Sequence, residues 1–96
     1  MVHRAETFLP HVGTQFRVQS ESPGPADPHI TLVEVTAETV SGPARQFSLF
    51  FHGPASQRLS QGTYELRHAV LGSLPLFLVP VIGSNNERII YQACFG

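Results

Sequence analysis

Tryptophan and lysine are both missing from this 96-residue chain, while aspartate and cysteine occur once each, at Asp27 and Cys94. Without lysine there is no Schiff-base amine and no phosphate-loop lysine. A single cysteine rules out an internal disulfide framework and an all-cysteine zinc site within one chain. Charge is scarce too, at 14% of residues, against about 25% in an ordinary soluble domain. The six basic residues, Arg4, Arg17, Arg45, Arg58, Arg67 and Arg88, are spread out under a net charge of −1. No basic track exists for a phosphate backbone, so a nucleic-acid partner is not expected. Residues 1–7 lack the apolar stretch of a signal peptide. The longest apolar run, residues 74–82, falls far short of the roughly 20 residues that span a bilayer as a helix. These absences predict a cytoplasmic protein with a reduced Cys94 and no membrane span, leaving open export without a cleaved signal.

What is present suffices for a core. Hydrophobic residues make up 42% of the chain, and a length near 100 fits one domain over residues 1–96. Turn signals divide the chain: Pro23-Gly24-Pro25 with Asp27-Pro28, then Gly42-Pro43, Gly53-Pro54, Gln61-Gly62, Gly72-Ser73 and Gly83-Ser84-Asn85-Asn86. The segments between them are too short for most helices but right for strands.

Period-two alternation predicts six strands, over residues 13–18, 29–37, 45–52, 63–68, 74–81 and 88–95. In the second, Ile30, Leu32 and Glu34 share one face. Residues 33–40 could be read as helical, but Val33, Val35, Thr36, Thr39 and Val40 are β-branched and favour a pleated surface. Short turns fit at residues 6–10 and 55–59. The expected fold is all-β: a small antiparallel barrel or strongly curled meander of about six strands, since closure hides strand edges. The alternative is a two-sheet sandwich. Phe16, Phe47, Leu49, Phe51, Tyr64, Leu66, Leu76, Leu78, Ile89 and Tyr91 are expected inside.

The pattern Phe47-Ser48-Leu49-Phe50-Phe51-His52-Gly53-Pro54, then Gln61-Gly62-Thr63-Tyr64-Glu65-Leu66-Arg67-His68 and Leu71-Gly72, resembles a small uncharacterised bacterial all-β domain family. Phe8, Val12-Gly13, Phe16-Arg17-Val18, Leu76-Phe77-Leu78-Val79-Pro80-Val81, Tyr91 and Phe95 extend the likeness over nearly the whole chain. The resemblance implies an association with phage-tail-collar-like proteins, hence a part in a tail-like or fibre assembly. It implies no catalytic role.

Candidate chemistry is thin. The five histidines, His3, His11, His29, His52 and His68, never come within seven positions of each other, unlike close metal-ligand pairs. If the strands holding Phe47 and Tyr64 form a hairpin around residues 53–61, His52 and His68 lie on the order of 20 Å apart. They read as rim or turn histidines, and no metal or other cofactor is expected. Ser48 and His52 are four residues apart on one strand, roughly 13 Å, too far for a nucleophile and its base. Cys94 has no basic neighbour in sequence and reads as a small packed thiol. Glu34 is either a buried acid with a raised pKa or reaches solvent through a twist or bulge. Gly53-Pro54 and Gln61-Gly62 read as strand terminators.

The expected function is therefore non-enzymatic: a structural or protein-interaction module of a larger assembly. The alternative is a small-ligand or carbohydrate-binding barrel using Phe50, Tyr64 or Tyr91 as an apolar platform. Residues 74–81 are apolar on both faces, so self-association or a protein partner is expected there. Leu74, Leu76, Phe77, Leu78, Val79 and Phe50 are the candidate interaction residues, unless Phe8 and Leu9 cover the second apolar row. Pro75 and Pro80 suit an edge strand or bulge.

Overall fold

A computed structural model describes residues 5–19, 28–36, 39–41, 44–81 and 88–95. A short helix, α1 (Ala5–Phe8), runs into a 3-10 turn (Leu9–His11). The strands are β1 (Gln15–Gln19), β2 (His29–Val35), β3 (Thr39–Ser41), β4 (Ala44–Pro54), β5 (Gly62–His68), β6 (Gly72–Pro80) and β7 (Arg88–Phe95), with a second 3-10 turn (Ala55–Gln57) after β4.

Six strands close into an antiparallel barrel. The ring runs β1-β2-β4-β7-β6-β5 and returns to β1, while β3 pairs with the start of β4 as a hairpin arm. The expected barrel is formed; the sandwich is not. The short turn expected at residues 6–10 is the end of α1 with its 3-10 turn, that at 55–59 begins as a 3-10 turn, and β3 was not anticipated.

The ring order joins two three-stranded meanders, β1-β2-β4 and β5-β6-β7. This overturns the expected hairpin between the strands holding Phe47 and Tyr64. β4 pairs with β2 on one flank and, from Phe47↔Phe95 to Pro54↔Arg88, with β7 on the other. β5 stands on the opposite side of the ring, so residues 55–61 must cross the barrel end. Seven residues span up to about 24 Å, enough for that crossing. The crossing segment is anchored by the Leu59 N–H, which donates to the Tyr91 hydroxyl at 2.9 Å. The Tyr64 hydroxyl donates to the Ser60 carbonyl at 2.7 Å.

Alternation sets the core. Phe16, Val18, Ile30, Leu32, Phe47, Leu49, Phe51, Leu66, Leu74, Leu76, Leu78, Ile89, Tyr91 and Ala93 are buried. Tyr64, expected inside, is half-buried at the rim. Gly53-Pro54 ends β4 as expected, but Gly53 still pairs with β7 and faces inward, where a Cβ would meet Ile30 Cγ2 at 2.8 Å. The β2–β4 register shifts between Leu32↔Phe51 and Glu34↔Phe50, so Val33 and Glu34 together oppose one residue. That bulge turns Glu34 out to solvent and brings Val35 against the core, which settles the two readings of Glu34.

The other barrel end is closed by α1. Phe8 is fully buried, with its ring 5.5 Å from Phe95 and 6.1 Å from Phe47. Phe47 and Phe95 themselves stack at 4.6 Å. Phe8 therefore plugs the barrel and does not cover the outward row of β6, while Leu9 stays exposed. β6 pairs with β5 from Gly62↔Leu78 to His68↔Gly72 but with β7 only at Val79↔Gln92 and Pro80↔Tyr91, so Pro75 lies in the part registered on one flank and Pro80 in the part registered with β7. The turn signals at residues 23–27, 42–43 and 83–86 lie outside the described residues. Among the described residues no helix is long and apolar enough to cross a membrane.

Candidate functional site

The outer wall of the closed barrel has two unlike halves. On β1 and β5 the outward positions are Gln15, Arg17, Gln19, Thr63, Glu65 and Arg67. Arg17 is registered directly opposite Arg67, an unfavourable like-charge pairing. The Arg67 guanidinium leans along the strand instead, its Nε donating to Gln19 Oε1 at 2.6 Å.

Between Arg88, the first outward position of β7, and Glu34, opposite Phe50 on β2, the described outward positions of β4, β7 and the end of β6 carry no formal charge. One row is Phe50, Gln92 and Val79. Beside it, Ser48 faces Cys94 on one side, and His52 faces Ile90 on the other. Phe77 is 49% exposed, and Phe50, Val79, Val81 and Ile90 are half-buried. Glu34 and Arg88 mark the borders, opposite Phe50 and Pro54 respectively. Of the residues the sequence offers for interaction, Phe77, Val79 and Phe50 lie on this outward face. Leu74, Leu76 and Leu78 point into the barrel and are unavailable to a partner, which corrects their place among the interaction residues and agrees with the expected interior position of Leu76 and Leu78. Both faces of β6 are apolar, so alternation alone could not say which lay inside.

Cys94 is exposed on this wall, not packed. Ser48 Oγ donates to its sulfur at 3.6 Å and accepts from Gln92 Nε2 at 3.2 Å. Ser48 N–H donates to Thr36 Oγ1 at 2.7 Å. Ser48 thus serves as a strand-to-strand polar tie. His52 has its pKa lowered, first by partial burial and then by the positive Arg88.

A second feature is a cleft of about 410 Å³ where β1 ends beside β5, lined by Val18, Gln19, Pro28, Leu59, Thr63, Tyr64 and Glu65. Its size lies within the usual range of small-ligand sites, about 300–1,000 Å³. Tyr64 lines it; Phe50 is on the outer wall, and Tyr91 is buried beneath the crossing segment.

The histidines give the least expected geometry. His68 is buried and lies 4.7 Å, ring to ring, from His11. Their 57-position separation in sequence hid the pair. Among the described residues, no three His, Cys, Asp or Glu side chains gather to hold a metal ion.

Residues 3–95 match the model of a family described as Domain of unknown function (DUF6916). The chain belongs to this family. No curated protein and no solved structure matched it. The family description carries no activity, so this member's function must be argued from its surface.

Proposed function

We propose that this domain is a non-enzymatic interaction module, a subunit or accessory of a larger assembly, that docks through the uncharged wall of β4, β6 and β7. The observation that carries this reading is Phe77, half exposed on that wall beside Val79 in a chain poor in charge. An apolar patch of this kind marks an association surface more often than an idle one. Burying Phe77 and Val79 would contribute roughly 1.5–3 kcal/mol each if complete. The first occupant to test is a second copy, because an uncharged face complements itself across a two-fold axis. The tail-like or fibre assembly implied by the sequence resemblance is the setting we propose for it.

Sedimentation of the wild type and of Phe77→Glu tests the reading. The wild type is expected to associate with rising concentration, and the variant to remain folded and monomeric. A wild type that stays monomeric at high concentration, with no partner recovered from its native cells, would sink it.

A second reading, a small-ligand or carbohydrate-binding barrel, is favoured by the cleft and by Tyr64 beside Gln19, Thr63 and Glu65. Sugars stack on aromatic rings and exchange hydrogen bonds with such amide, hydroxyl and carboxylate groups. Amide shifts at Tyr64 and Glu65 on adding simple saccharides would favour it; unmoved signals would remove it.

A further inference from the structure

His68 ends β5 at the barrel end plugged by α1, and both of its ring nitrogens are engaged. Nδ1 accepts from the Val70 N–H at 3.0 Å and the Leu71 N–H at 3.1 Å, inside the turn that leads into β6. A nitrogen that accepts two hydrogen bonds carries no proton, so in the neutral ring the proton sits on Nε2. Nε2–H then donates to Thr14 Oγ1 at 2.9 Å, and the Thr14 hydroxyl donates to the His11 carbonyl at 2.6 Å. One neutral imidazole thereby ties the β5–β6 turn to the residues that lead from the plug into β1.

We propose that His68 is a pH-operated latch, holding the β5–β6 turn and the plug segment against the barrel at neutral pH and releasing them on acidification. A proton on Nδ1 removes the lone pair and sets an N–H against two backbone N–H donors. His68 is buried as a residue, so the turn has to open for water to take over both contacts at Nδ1. The titratable group facing it is His11, whose edge meets it from the N-terminal turn. Thr14 and Phe16 from the β1 side, and Val70 and Leu71 from the turn, bring no charge. Arg17 and Arg67 lie on the outer wall. Burial, then the approach of His11, both work against the charged form. Gly72, at φ +76°, lets the chain leave the turn into β6.

The test combines nitrogen-detected histidine titration with amide hydrogen exchange on the intact chain, from about pH 8 to about pH 5. The His68→Asn variant serves as control, because an asparagine carboxamide oxygen can take the Nδ1 position and does not titrate. The expected result is a neutral, Nε2-protonated His68 at the upper end. On acidification, protection of Val70 and Leu71 should fall about tenfold or more while Leu49 and Tyr91 stay protected. In His68→Asn that loss should vanish. Unchanged protection of Val70 and Leu71 in the acidified wild type overturns the latch, and so does a loss shared equally by the core amides. If the variant does not fold, the wild-type titration and exchange still decide.

Discussion

Gly53 is registered opposite Ile89, yet the ring of its diagonal neighbour Tyr91 lies so close that a Cβ on Gly53 would be 3.0 Å from that ring and 2.8 Å from Ile30. Neither neighbour can yield easily. The Tyr91 ring is fixed by its hydroxyl contact to Leu59, and Ile30 is buried and branched close to its backbone. Gly53→Ala is expected to lower unfolding stability by about 1–3 kcal/mol, the usual cost of overpacking a filled core. Urea unfolding of the variant measures it; a midpoint equal to wild type would show that the contact relaxes freely.

Removing the plug should cost more. Phe8 is fully buried against the stacked rings of Phe47 and Phe95 at one end of the barrel. Phe8→Ala leaves a ring-sized void there, worth about 3–5 kcal/mol of stability. Leu9→Ala is the matched control, since Leu9 is 54% exposed and its loss should stay within about 0.5 kcal/mol. Thermal unfolding of the two variants side by side provides the measurement.

Cys94 reports on the uncharged wall without mutation. As an exposed thiol it should react with an aromatic disulfide reagent in the folded protein, releasing one equivalent per chain. If copies pair through the wall of β4, β6 and β7, the reaction should slow as protein concentration rises and recover in Phe77→Glu. A rate independent of concentration would count against pairing on that face.

Stability should also depend on pH through two histidines. His52 and His68 both have pKa values lowered from 6.5, chiefly by desolvation, with Arg88 and His11 respectively adding to it. Between the lowered native values and 6.5, the unfolded chain binds more protons than the native one. Their contribution is therefore fully present above 6.5 and declines as the pH falls through that value. Urea midpoints on either side should show it, and His68→Asn should flatten the slope in part.

The strands were legible because alternation survives burial: Phe47, Leu49 and Phe51 could belong to one face whatever paired beside them. The order of strands around the ring was not legible. Nothing between Pro54 and Gly62 distinguishes a hairpin loop from a crossing segment, because either suits seven mostly polar residues with turn chemistry. Leu74 to Val79 shows a related ambiguity, since two apolar faces give no sign of which is inside. The bulge at Val33 and the approach of His11 to His68 depend on partners distant in sequence, and no local pattern records them. Cys94 was misplaced for a simpler reason: small thiols are usually buried, and this one occupies an outward position on β7.

The ring order also governs how the chain can reach this state. β1 must find β5, pairing Arg17 with Arg67 and Gln19 with Glu65, partners about fifty positions apart in the chain. Such distant pairing makes loop closure costly before any contact rewards it, and it belongs to the slow class of small domains, folding in roughly milliseconds to seconds. During synthesis β1, β2 and β4 emerge first, and the free flank of β1 has no native partner until β5 follows. Until the ring closes, that flank is an open template for another chain. The step most exposed to misassembly is therefore the joining of the two meanders, and conditions that speed β5 onto β1 should raise the yield of folded protein.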